Sequence, residues 1–318
     1  MIWLTWRQHR GELLLIGGIL TALAAILIVT GAQIATTYQQ LGVAACVAHP
    51  AANSNCGQII GGFDDQFGWM RSAVGWLNLL PALIGILVGA PLVARELEHS
   101  TQRLVWTQSV TRARWLMVKL LGVFVMCLLA SAILTALLAW WRAPFATLQG
   151  SFSPDGFDLV GIVPLAYMAF ALALGIAAGT LLRRAIPAMV VTLGGFLAVR
   201  LPILTWVRPY YLPPLTVNWD PTQLRISPVS RADWQFSQNF VDAHGHTLSD
   251  PQAYSACAGV QTKGDFFQCL HTHHWLIALV YQPANRFWLF QGIETAIFVA
   301  LTLALISLTI WWVRWRIS

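Results

Sequence analysis

Hydrophobic and polar positions fall into long blocks along this chain rather than alternating residue by residue. A helix needs about 20 apolar residues to bridge a hydrocarbon core of about 30 Å, and six stretches meet that requirement. Leu13 to Gly31 carries no charge, and neither do the runs between Arg71 and Arg95, between Lys119 and Arg142, and between Asp158 and Arg183. The fifth, Ala185 to Trp206, contains Arg200, and the sixth, Phe287 to Val313, contains Glu294. The first run is long for a signal-peptide core and lacks a clean small-residue cleavage pattern, so it is read as a retained helix. The pattern predicts an all-α polytopic membrane protein with six transmembrane helices. Composition agrees: with 57% apolar and 10% charged residues, too few polar side chains exist to clothe a water-soluble globule of this size. That argues against a soluble enzyme.

Orientation follows from the basic residues, because cytoplasmic segments retain Lys and Arg. An even number of crossings puts both ends on one side. That side carries Arg7, Arg10, Arg95, Arg103, Arg112, Arg114, Lys119, Arg183, Arg184, Arg314 and Arg316, the majority of the 19 basic residues in a small share of the chain. Both termini are therefore expected in the cytoplasm. The net charge of +6 then reads as a topological signature and an attraction to lipid head groups, with no nucleic-acid partner. Residues 1–12 read as an interfacial helix and 13–206 as the first five crossings. Residues 207–286 form a long outer connection, expected to be a small folded cap, and 287–318 the last crossing and tail.

Cysteine placement bears on the same topology. Cys46 and Cys56 fall in the first outer loop, and Cys257 and Cys269 in the last, so they are expected to form two local disulfides in an oxidising compartment; metal or redox chemistry is the alternative. Cys127 stands alone in the third crossing and reads as a packing residue. Within the outer cap, Ser249-Asp250-Pro251 predicts a helix to about Ala258. A second is expected near Phe266 to Trp275, so that Cys257–Cys269 would staple two helices. The prolines between 202 and 228 predict irregular extended chain before them.

The longest inner connection, Arg95 to Lys119, is patterned. On a helix, Leu97, Thr101, Leu104, Val105 and Gln108 share one stripe while Arg95, Glu96, Glu98 and Arg103 lie off it, which predicts an amphipathic helix at the membrane surface. The run Ala94-Arg95-Glu96-Leu97-Glu98-His99-Ser100-Thr101, followed by Thr107-Gln108-Ser109-Val110-Thr111-Arg112 and Lys119, resembles the cytoplasmic stretch between the second and third helices of type-2 ABC transporter permeases, most closely actinobacterial ones. Ser100 stands where that family usually has glycine and Ser109 where it usually has proline. The six crossings, the basic N-terminal helix and the large last outer loop extend the resemblance over most of the chain.

The resemblance implies the transmembrane permease subunit of an exporter in a bacterial cell membrane, paired with a second permease copy, as homodimer or heterodimer. A separate ABC ATPase subunit would dock on Arg95, Glu96, Leu97, Thr101, Leu104 and Arg112 and drive the gate. ATP and magnesium would belong to that partner. Consistently, this chain has only Lys119, after Val118, and Lys263, after Thr262, so neither stands in the Gly-Lys-Ser/Thr order of a phosphate-cradling loop. The chain itself is expected to hold no cofactor or metal and to catalyse no reaction. Its cargo reads as amphiphilic or hydrophobic from the scarcity of polar residues in the crossings.

Arg200 and Glu294 are the charges set well inside predicted helices. Counted at about 1.5 Å per residue, both lie roughly 10 Å below the outer surface, so a salt bridge between the fifth and sixth helices is expected. An alternative makes Glu294 the proton site of an ion-coupled carrier; another makes the chain a receptor or enzyme acting through its outer cap. His244, His246, His271, His273 and His274 lie in that cap and read as surface histidines rather than zinc ligands. Gly85–Gly89 and Gly175–Gly179 have the spacing that lets helices approach closely, within the protomer or across a dimer. Trp69, Trp115, Trp140, Trp141, Trp311, Trp312 and Trp315 read as interfacial anchors.

Overall fold

Six helical spans, each long and apolar enough to cross a membrane, account for most of the chain: Gly17–Gln40, Cys56–Glu98, Leu120–Gln149, Val163–Leu182, Ala185–Tyr210 and Ala284–Trp315. The structure is a computed structural model, and it describes residues 2–48, 55–98, 112–150, 152–220, 222, 227–242, 244–260 and 262–315. The number of spans is the one predicted from charge-free runs. Their lengths are not.

Helix α1 (Ile2–Gln40) is a single helix of 39 residues, about 58 Å long at 1.5 Å per residue. No break separates residues 2–12, expected to be an interfacial helix, from the first crossing. The described residues of the first connection, expected to be an outer loop, are largely helical. It contains α2 (Val43–Ala48) and the start of α3 (Cys56–Gly75), joined by the Cys46–Cys56 disulfide. From α3 the chain continues through a 3-10 turn (Trp76–Leu79), α4 (Leu80–Ile84), a wide π turn (Gly85–Gly89) and α5 (Ala90–Glu98). Pro81 and Pro91 supply a reason for the interruptions, since neither can donate the backbone hydrogen bond a regular helix needs. Helix α6 (Arg112–Gln149) is the third span, followed by the short α7 (Pro154–Phe157).

The fourth span, α8 (Val163–Leu182), is the hub. Its apolar window is 72% buried, against 17–22% for the first, third, fifth and sixth spans. It packs on α4, α5, α6, α9 (Ala185–Pro202) and the final helix α12 (Phe287–Trp315). At its start Gln291 of α12, fully buried, accepts from the backbone N–H of Ile162 and Val163 at 3.0 and 2.9 Å and donates to Phe157 O and Val160 O. One side chain thus satisfies helix-end groups that would otherwise be orphaned. At its other end Arg183 adopts a left-handed conformation, with φ 54°, and the chain reverses into α9.

The two small-residue pairs meet each other. A Cβ added to Gly85 would lie 2.6 Å from the carbonyl oxygen of Ala171, and one added to Gly175 would lie 2.7 Å from Ala90 N. The second and fourth spans therefore cross backbone against backbone, inside the protomer, at the π turn. Van der Waals contact is the main force holding apolar helices together in lipid, so close approach is what stabilises this crossing.

Helix α1 leans on α6 instead. Trp141 Nε1 donates to Thr30 Oγ1 at 3.0 Å, and Tyr38 and Thr147 share a hydrogen bond of 2.9 Å. Trp141 is 1% exposed, so this expected interfacial anchor is a core residue; Trp69 and Trp315, at 64% and 76%, do stand on the surface.

The connection between the fifth and sixth spans departs from the all-α expectation. It contains a four-stranded antiparallel sheet in the order β1-β4-β2-β3, made of β1 (Leu215–Trp219), β2 (Trp234–Val241), β3 (Thr247–Leu248) and β4 (Leu276–Gln282). Helices α10 (Asp250–Ala256) and α11 (Lys263–Thr272), linked by Cys257–Cys269, pack on it through Ala253, Leu270, Phe240 and Ile277. Ser249 and Gln252 form the capping box that starts α10. Trp234 joins Phe152, Phe157 and Phe290 in the cluster that seats this lobe on the bundle.

Substituting Gly175 by valine should overpack the crossing and cost about 1–3 kcal/mol or more, read as a lower melting temperature in detergent. Gly122→Val, where an added Cβ meets nothing within 4 Å, should melt near the wild type. Equal losses at both positions would contradict the proposed contact.

Candidate functional site

Where the fourth, fifth and sixth spans meet the lobe, four charged side chains are buried together. Asp158 precedes α8, Arg200 lies in the last turns of α9, Arg208 begins the 3-10 turn Arg208–Tyr210, and Glu294 lies two turns into α12. Their exposures are 5%, 6%, 1% and 0%. Two cations and two anions balance, which is the condition for keeping charge out of water.

Arg208 is the centre. Its Nε donates to Glu294 Oε2 at 2.8 Å, and its Nη2 reaches Glu294 Oε1 at 2.7 Å, Asp158 Oδ1 at 2.6 Å and the Tyr167 hydroxyl at 2.8 Å. Arg200 Nη2 donates to Asp158 Oδ2 at 3.1 Å and its Nη1 to the carbonyl of Asn78. The Tyr167 hydroxyl lies within hydrogen-bond reach of both carboxylates, and Tyr211 donates to Glu294 Oε2 at 3.2 Å. The guanidinium carbons lie 4.4 Å from the ring centroids of Tyr167 (Arg200) and Phe157 (Arg208), so ring faces add attraction where water is absent. The planar fork of each arginine lets it engage two elements at once. The network ties the second, fourth, fifth and sixth spans and the segment before the fourth.

Arg200 and Glu294 are thus in one network, but the salt bridge expected between them is not formed. Arg200 pairs with Asp158, and Glu294 pairs with Arg208. Asp158 gave no signal beyond marking the border of the fourth apolar run, and Arg208 lies just past the end of the fifth. Two opposite charges bordering neighbouring spans on the same side were the available signal. Tyr167 and Tyr211 gave none beyond being aromatic residues near span ends.

The opposite end of the bundle holds the described residues of the segment for which the resemblance implies ATPase docking. Arg95 is exposed, and Glu96 lies half-buried in the last turn of α5. Leu97 is buried in a cluster with Leu92, Val93, Leu120, Ile176 and Val313, so its side chain faces the bundle. Glu98 Oε2 accepts from the backbone N–H of Ala185 at 3.2 Å, where α9 begins. Thr101 and Leu104 lie outside the described residues, and Arg112 is described only as the first residue of α6.

The lobe histidines serve local structure. His246 Nδ1 lies 3.2 Å from Asp242 Oδ2 within the β2–β3 turn, and His271 Nδ1 lies 2.9 Å from Asp220 Oδ2. Burial raises the Asp220 carboxyl, but hydrogen bonds from Thr222 and His271 outweigh it and hold the group below the usual carboxylate range. Among the described residues no cluster of three or more His, Cys, Asp or Glu could hold a metal. Cys46–Cys56 and Cys257–Cys269 are both disulfides, as expected, and Cys127 is free.

Removing Arg208 leaves two buried carboxylates without their shared cation, so Arg208→Ala should cost about 3–5 kcal/mol, read by thermal unfolding in detergent. Arg208→Met with Glu294→Leu removes a cation and an anion together and should recover part of that loss. Arg208→Ala melting with the wild type would contradict the central place given to this residue.

No curated protein and no solved structure matches the chain. Residues 17–208, which include the first four spans and nearly all of the fifth and end at the arginine at the heart of the network, match the family described as ABC-2 membrane transporter related. That match covers more than half of the sequence and agrees with the six apolar helices, so the chain is a multi-pass membrane protein that belongs to the ABC-2 membrane transporter related family.

Proposed function

We propose that this chain is the permease subunit of a type-2 ABC exporter, driven by a separate ATPase that docks on the Arg95 to Arg112 segment. The observation that carries the proposal is the family match over residues 17–208, to which the geometry adds a mechanical route. Leu97 packs against Leu120, Ile176 and Val313, and Glu98 caps the start of α9. A push on the end of α5 therefore bears on the third, fourth, fifth and sixth spans together. Gly175 and Gly85 hold the second and fourth spans backbone to backbone, so displacement is passed along α8 as a shift of a packed element and not absorbed by soft side chains.

In this reading both termini and the Arg95 to Arg112 segment face the bacterial cytoplasm, the lobe faces outward, and a second permease copy completes the pathway. The apolar faces bearing Ile26, Leu129, Val190 and Leu303, all more than half exposed, meet lipid or that second copy. The partner supplies ATP hydrolysis. The ion-coupled alternative finds less support, because both oxygens of Glu294 are engaged by Arg208, Tyr167 and Tyr211 and its side chain is fully buried. A proton carrier needs access to the path it serves.

Coexpression with an ABC ATPase from an adjoining reading frame tests the proposal. The ATPase should copurify with the wild type and be lost, at least tenfold, when Arg95→Glu and Glu96→Arg are combined, with the melting temperature unchanged. Transport by the purified chain driven by a pH gradient, with no ATPase present, would overturn it.

A further inference from the structure

Between the first four spans a cavity of about 160 Å³ is lined by Gly17, Ile84, Val88, Val123, Met126 and Cys127. It is apolar along this length and comparable to the cavity of about 150 Å³ that holds a benzene-sized ligand. Met126 is 51% exposed and Gly17 is exposed, so the trough opens there onto the outer surface of the bundle. It adjoins a second space of about 30 Å³, with Leu80, Ser131, Leu134 and Met168 lining both. The second space is bordered by Asn78, Ser131, Thr135, Asp158 and Tyr167. The outer space is apolar, and the adjoining inner one, itself mostly apolar, has a polar end made by Asn78, Ser131, Thr135, Asp158 and Tyr167 against the ionic network.

The polar end has bonding capacity to spare. Thr180, Thr192, Thr302 and Thr309 each donate to the carbonyl one turn back at 2.7 Å, the usual way a hydroxyl is satisfied inside an apolar helix. The amide oxygen of Asn78 is buried and has no hydrogen-bond partner among the described residues, and Ser131 and Thr135, 6% and 7% exposed, line the same space. An unmet acceptor in a membrane is expensive unless something bonds to it. Asn78 Oδ1 accepts only, and a hydroxyl can accept, so the matching group is a donor. The charges behind it already balance, which gives an anionic head no cation to pair with.

We infer that this cleft binds one single-chain amphiphile whose hydrogen-bond-donating head, a hydroxyl or primary amine, sits among Asn78, Ser131 and Thr135 while its chain lies in the trough toward Met126. This deepens the export reading by naming the cargo class; binding itself needs no ATPase, so its failure is distinguishable from failure of that reading.

The test is photolabelling of the full chain in phosphatidylcholine nanodiscs with a 12-carbon primary alcohol carrying a mid-chain diazirine. Adducts should concentrate on the segment from Val123 to Ala130. Unlabelled 1-dodecanol or dodecylamine should displace the probe at about tenfold lower concentration than dodecane, the scale expected for one or two net hydrogen bonds. Ser131→Ala with Thr135→Val should erase that tenfold preference, and Ala130→Leu, which fills the trough, should abolish the adducts; should the second variant fail to fold, the first still decides. Labelling spread equally over Ile186, Val190 and Leu303, or displacement by dodecane as readily as by dodecanol, would overturn the inference.

Discussion

Burying two arginines and two acids away from water is affordable only if each charge is met by another, and this constraint organises one end of the molecule. Arg208 meets it by reaching Asp158, Tyr167 and Glu294 at once. Because those residues come from the segment before α8, from α8 itself and from α12, satisfying the charge also fixes the positions of the spans. Removing a single partner exposes the whole desolvation penalty, so the network behaves as a unit. The lobe is seated on the same unit: Gln282 of β4 donates to Pro209 O and Leu212 O at 3.0 and 2.8 Å, just beyond Arg208.

The rest of the bundle uses different forces. Dispersion between glycine-lined backbones joins the second and fourth spans, and aromatic and aliphatic packing around Trp141 joins the first and third. With α8 buried among its neighbours and the ionic network at one of its ends, the fourth span is the element on which most of the others pack.

Most of the bundle was legible in the sequence because the membrane requirement is crude and one-dimensional: a span must be apolar for about 20 residues. The six spans and both disulfides follow from that and from topology. Other features depend on tertiary partners. Strand β4, Leu276 to Gln282, is apolar almost throughout because it is central in the sheet, so it offers none of the alternation that marks a half-exposed strand. Trp141 has the composition of an interface anchor and is buried because Thr30 lies opposite its indole. Arg200 and Glu294 stand out as charges inside apolar runs, whereas Asp158 borders the fourth run and Arg208 lies just beyond the fifth. The network could be suspected from half of its members, and its pairing came only from three-dimensional proximity.

The claim that the buried charges lock the fourth, fifth and sixth spans into one body is tested most directly by native-state hydrogen exchange on the detergent-solubilised chain, comparing wild type with Arg208→Met. The account predicts that residues 158–170, 196–208 and 288–298 lose protection together and by similar factors, as one cooperative unit. Loss of protection confined to the few residues around 208, with α8 and α12 unchanged, would contradict it.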